Sequence, residues 1–199
     1  MFNFIRENSY TIIKMGVNQI GMTVFGLMLA MATSSNSYLL LLTSIFAACF
    51  YMVLLYTMSW DCGAKDKIRV DGGRAKYTPF KGVNMSLVAN TINIILAVCI
   101  IIGYYSAVWT TTADPVTGMA LMEGTPQWAS NLYGITNMLS GFLSAMYLGI
   151  IKYFLSQVPF AYLLAVIPSL CASGLGYYMG LNNRRIFRAP QISGKSDKK

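Results

Sequence analysis

The sequence contains no histidine and only seven acidic residues. The first absence removes the commonest general base and metal ligand. Cysteine is sparse as well: Cys49, Cys99 and Cys171 lie in apolar stretches, Cys62 lies in a basic segment, and no two stand at metal or redox spacing. A thiol in such surroundings acts as a small hydrophobe. No nucleophile has an adjacent base, so no enzymatic activity, cofactor or metal is expected. Charge of both signs is scarce, at 11% of the residues where an ordinary soluble domain has about 25%. That excludes a water-soluble globule, whose surface needs far more polar cover than this.

What is present is apolar, 55% of the chain, and it comes in long uncharged runs. Residues 15–60 carry no charge, and further uncharged runs cover 82–113, 124–151 and 153–183. About 20 helical residues cross a ~30 Å hydrocarbon core, so the first run holds two crossings and each later run one. The expected fold is all-α, a polytopic membrane helical bundle with spans near 10–32, 38–60, 84–108, 131–151 and 159–180. Residues 1–183 form one transmembrane domain, and 184–199 form a basic tail expected to be disordered. Ala30-Met31-Ala32 superficially matches a signal-peptide cleavage site, but Lys14, Asn18 and Gln19 interrupt the apolar core that a signal needs, so a retained first helix is expected.

Lysine and arginine orient the spans, because short cytoplasmic loops keep positive charge. The loop at 61–82 has Lys65, Lys67, Arg69, Arg74, Lys76 and Lys81, whereas 109–130 has Asp114 and Glu123 and no cation. The first loop and the amino terminus are therefore expected inside a cytoplasmic membrane, and 109–130 outside. Five crossings leave the tail outside despite its six cations, counted from Arg184. Either the tail is an exception or one segment is re-entrant, span five being favoured for its Pro159, Pro168 and small residues.

Polar residues within spans must face protein or water. Ser86, Asn90 and Asn93 fall on one helical face, with Ala97 extending it, and Asn18, Gln19 and Thr23 stand in span one. Asn18, Gln19, Ser86, Asn90 and Asn93 are the candidate ligand-binding residues, with interhelical hydrogen bonding as the plainer role. Gly141, Ala145 and Gly149 in span four and Ser169, Gly176 and Gly180 in span five form small faces for close helix packing. Spans four and five are expected to pack on each other across 156–158, or to dock another membrane subunit. Lys14 and Lys152 lie close enough to helix ends to snorkel. Trp60, Tyr104, Tyr105, Trp109, Trp128, Tyr177 and Tyr178 mark span ends and read as interface anchors.

In the basic loop, Asp61, Asp66 and Asp71 alternate with cations and read as solvated, while Gly72-Gly73 suggests a turn, even a small hairpin between Val70 and Tyr77. The cations suit anionic headgroups or a cytoplasmic partner; nucleic-acid binding is not expected. The stretches Trp60-Asp61-Cys62-Gly63-Ala64-Lys65-Asp66 and Lys81-Gly82-Val83-Asn84-Met85-Ser86-Leu87-Val88-Ala89-Asn90 resemble a pattern in small uncharacterised bacterial multi-span proteins. That resemblance implies a bacterial cytoplasmic membrane. By size, helix content and charge the chain also resembles the membrane-embedded substrate-binding subunits of vitamin importers, which have one helix more. Two functions follow as expectations: a small-solute binding or transport-associated subunit, or a structural or regulatory partner without a ligand of its own.

Overall fold

A computed structural model describes residues 2–74, 76–108, 126–155 and 159–184. Among them every regular element is helical: α1 (Phe2–Thr33), α2 (Ser37–Asp71), α3 (Lys81–Ala89), α4 (Thr91–Val108), α5 (Gln127–Leu143), a single 3₁₀ turn at Ala145–Tyr147, α6 (Leu148–Phe154) and α7 (Ala161–Leu181). The protein is an all-α membrane bundle. Helices α1, α2 and α7 are long and apolar enough to cross a bilayer singly, and the bent pairs α3/α4 and α5/α6 bring the candidate spans to as many as five.

Helix α2 corrects the reading of 61–82 as a loop. Its 35 residues are about 52 Å long at 1.5 Å each, more than a membrane needs, so it continues past Trp60 as far as Asp71. No hairpin forms. Gly73 adopts φ 67°, the left-handed conformation that glycine accepts without steric cost. Its amide donates to the Val70 carbonyl at 3.0 Å and that of Arg74 donates to Arg69 at 2.9 Å, closing the helix end. Helix α7 ends in the same way through Asn183, at φ 53°, with the Arg184 amide on the Met179 carbonyl at 2.9 Å.

Two expected spans are broken. The third bends by 62° between α3 and α4. There the Asn90 side chain donates to the Ser86 carbonyl at 2.9 Å and the Thr91 hydroxyl to the Leu87 carbonyl at 3.2 Å. Side chains thus compete for the acceptors that a straight helix gives to its backbone. The fourth bends by 82° between α5 and α6, where the Ser144 carbonyl takes a tight 3₁₀ bond from Tyr147 at 2.8 Å. The Leu143 carbonyl, freed at the break, accepts the Thr23 hydroxyl of α1 at 2.9 Å.

The contacts fix which ends lie together. At one end, the basic end, buried Asp66 of α2 accepts Lys81 Nζ of α3 at 2.7 Å and the Tyr177 hydroxyl of α7 at 2.8 Å. Asp66 is therefore a buried tie between three helices, not a solvated loop carboxylate. Tyr177, 1% exposed, is no interface anchor, and buried Trp60 instead donates Nε1–H to the Arg184 carbonyl at 2.7 Å. Tyr105, Trp128 and Tyr178 are exposed as anchors would be; Trp109 lies outside the described residues. Lys14 and Lys152 are exposed.

The opposite end holds the α1–α2 link, with the Thr33 and Thr43 hydroxyls 3.2 Å apart. Helix α5 starts there, with Tyr133 against Gly103 and Tyr104 of α4, and reaches the level of Thr23. Helix α6 then returns: Gly149 lies on Leu40 and Ser44, and the Tyr153 ring is 6.4 Å from Tyr38. The α5/α6 pair enters and leaves at one end. Helix α7, the favoured candidate had one segment been re-entrant, runs uninterrupted through Pro168 from Phe160, beside Tyr105, to the basic end.

The small residues do pack helices, but with other partners than expected. Gly176 and Gly180 lie on Tyr56 and Trp60 of α2, Gly149 also lies on α2, and Ala145 and Met146 lie on Gly26 of α1. Helices α7 and α2 make the most extensive contact in the bundle, and no hairpin of spans four and five forms. Methyls at these positions meet backbone. A Cβ on Gly176 would stand 2.5 Å from the Tyr56 carbonyl oxygen, whereas one on Gly141 would meet only the Tyr162 hydroxyl at 3.4 Å. Gly176→Ala should destabilise by about 1–3 kcal/mol and Gly141→Ala by less than about 0.5 kcal/mol. Melting temperatures in one detergent check the order, which equal values would overturn.

Candidate functional site

Both breaks open towards the same place. Asn90, at the junction of α3 and α4, and Ser144, at the junction of α5 and the 3₁₀ turn, line a cavity of about 10 Å³ in the middle of the bundle. Gln19 of α1, Tyr51 of α2, Asn93 of α4, Tyr147 of the turn and Ser169 of α7 complete its polar wall. None of these side chains is charged. Irregular backbone at membrane depth is tolerated where protein or water satisfies its polar groups, and here side chains do so.

The polar stripe read from the sequence forms one network. The Asn93 amide donates to Asn90 Oδ1 at 3.1 Å, Asn90 Nδ2 donates to Ser169 Oγ at 3.3 Å, and the Ser86 hydroxyl donates to the Ser169 carbonyl at 3.4 Å. Ser169 Oγ donates in turn to the Val166 carbonyl at 2.7 Å. Ser169, expected only to pack, thus links α7 to the α3/α4 break. Of the five candidate binding residues, Gln19, Asn90 and Asn93 line the cavity, buried Ser86 stands behind it, and Asn18 does not line it. The side-chain nitrogen of Asn18 is buried without a hydrogen-bond partner.

The sequence reading missed Tyr51, Ser144 and Tyr147. Tyr51 stands well inside its uncharged run, where an aromatic with a hydroxyl has no headgroup to reach, and that was the available signal; Tyr147 lies close to the end of its run and carries no such signal. The Tyr147 hydroxyl is buried and unpartnered. Tyr147 and Ala165 also line a second space, an apolar groove of about 240 Å³ between α2, α6 and α7. These two residues therefore separate the polar cavity from an apolar flank of the bundle.

The cavity as it stands accommodates about one water molecule. Its chemistry is that of neutral hydrogen bonding, with amides able to donate and accept and hydroxyls able to do either. Among the described residues no group of three or more His, Cys, Asp or Glu side chains is placed to hold a metal ion. No family model, curated protein or solved structure matches the chain.

Proposed function

We propose that this membrane protein binds a small uncharged polar solute where its two broken helices meet, and that it serves the transport of that solute rather than catalysing a reaction. The observation that carries this reading is the convergence of both breaks on one amide-lined cavity. Discontinuous helices whose ends face a shared polar site at membrane depth are the arrangement by which transporters hold solutes away from lipid. The uncharged lining favours a neutral solute, since a buried ion would need paired charge. A solute larger than water requires the helices that line the cavity to move apart. Segregation of cations favours a bacterial-type cytoplasmic membrane with the basic end inside; on that reading Phe2 and Arg184 both lie on the cytoplasmic side.

A second reading has its own support. The amides already bond one another and the space is small, as expected if they only hold helices together in a structural or regulatory subunit. Asn90→Leu and Asn93→Leu separate the two. Proteoliposomes with the parent protein should swell faster in urea or glycerol gradients than empty ones, and each substitution should remove that excess while changing stability by less than ~1 kcal/mol. Parent vesicles that swell no faster than empty ones, with a stability loss of ~0.5–2 kcal/mol in the variants, would establish the packing role instead.

A further inference from the structure

A cleft of about 620 Å³ lies at the basic end, away from the central cavity. One wall is the start of α1, with Phe4, Glu7 and Asn8; the other is formed by Arg74, by residues 76–81 and by Asn84. Three cations reach it, but they are not equivalent. Lys81 is committed to Asp66, whereas Arg74 and Lys76 form no ion pair among the described residues and are exposed. Glu7 is the one carboxylate of the cleft. Helix α3 begins in the same cleft, and no side chain caps its first turn, which leaves its positive dipole end facing the same space. Beside the cations stand Tyr77 and Phe80, 52% and 73% exposed. A solvated loop does not need two exposed rings next to two unpaired cations, but a surface lying against lipid headgroups does.

We infer that this cleft is a binding site for an anionic phospholipid of the inner leaflet, its phosphate held between Arg74 and Lys76. Phe80 and Tyr77 lie against its acyl chains, and Glu7 with Asn8 accepts hydrogen bonds from a hydroxyl-bearing headgroup. The bound lipid bridges α1 to the segment joining α2 and α3. The two cations face the headgroup level, where each contributes about fivefold in affinity for an anionic lipid.

The test uses the full chain reconstituted in vesicles of equal phosphatidylglycerol and phosphatidylcholine, extracted in mild detergent, with retained lipid counted by native mass spectrometry. The parent should retain phosphatidylglycerol in clear excess. Arg74→Ala with Lys76→Ala should bring the ratio close to that of the vesicle, while Lys65→Ala with Lys67→Ala, which removes equal charge outside the cleft, should leave it unchanged. An equal fall in both double variants would show a diffuse charge effect and overturn the site. A parent without preference would overturn it too. Loss of bound phosphatidylglycerol to millimolar inorganic phosphate, without added salt effects, would assign the cleft to free phosphate rather than to lipid. Arg74 and Lys76 are exposed, so both variants should fold, and their melting temperatures confirm that.

Discussion

Single cysteines at Lys76 and Asn182, introduced after removal of the native thiols, should both resist an impermeant maleimide in intact cells, while one at Ser35 should react fully. The effect is all-or-none because a bilayer separates the two populations. The expectation rests on the α5/α6 pair turning back on itself. If that pair crossed, α7 would run the other way through the membrane and Asn182 would be labelled while Lys76 stayed protected. The contacts argue against this, since Tyr177 near the end of α7 bonds the same carboxylate as Lys81 at the start of α3. Reaction at both Lys76 and Asn182 with Ser35 protected would keep the turn-back but invert the whole protein. The conflict over the tail disappears under this arrangement, and Lys152, next to Tyr153 at the opposite end, becomes the exception instead. Arg6, the cations from Lys65 to Lys81 and Arg184 all belong to one end, and Lys152 is the lone cation carried on α6.

Asp66→Ala should be the most damaging substitution in the bundle outside the close glycine contacts. The carboxylate is 10% exposed and its partner Lys81 18%, so both charges are largely withdrawn from water. Removing the anion leaves an ammonium and the buried Tyr177 hydroxyl without their acceptor, a loss of about 3 kcal/mol. Tyr177→Phe removes one hydrogen bond to a charged group and should cost about 1.5 kcal/mol. The double variant should lose less than the sum, because each substitution removes part of the same interaction. Thermal unfolding in one detergent reads all three. An unchanged melting temperature in Asp66→Ala would mean that Asp66 is solvated after all.

How much of this was legible beforehand depended on which physical quantity each feature obeys. The five apolar stretches were readable because exclusion of charge from hydrocarbon acts residue by residue. The breaks were not, because a hydropathy run records length and polarity but not whether the helical ladder is continuous. What interrupts the ladder is local competition by Asn90 and Thr91 at one break and a 3₁₀ turn accepted by the Ser144 carbonyl at the other, and the same residue types sit harmlessly elsewhere in these helices. The polar face of Ser86, Asn90 and Asn93 followed from helical periodicity, whereas its union with Ser169 depends on how α7 docks. Asp66 was misread for a different reason. Its neighbours Lys65, Lys67 and Arg69 give the appearance of a neutralised loop, yet Tyr56, Ser59, Gly63 and Asp66 continue one buried stripe at steps of three and four. That stripe carries small and polar residues, Ser59, Gly63 and Asp66, so apolar periodicity does not reveal it and its burial is visible only in the packed bundle.

The turn-back of α5 and α6 also dictates an order of events during synthesis. Its polar break is sheltered by Gln19 and Thr23 of α1, Tyr51 of α2, Asn90 and Asn93 at the α3/α4 junction, and Ser169 of α7. The last of these is made only after the pair itself has left the ribosome. Until α7 arrives, the cavity beside the break lacks one wall, although the Leu143 carbonyl already has Thr23 of α1 and the Gly149 amide already has Ser44 of α2. The earlier helices can assemble as they emerge, but the interior seals in one late step, when α7 slides against α2 and brings Ser169 to Asn90. Helix α7 is thus the one whose insertion converts a set of separate spans into a closed protein.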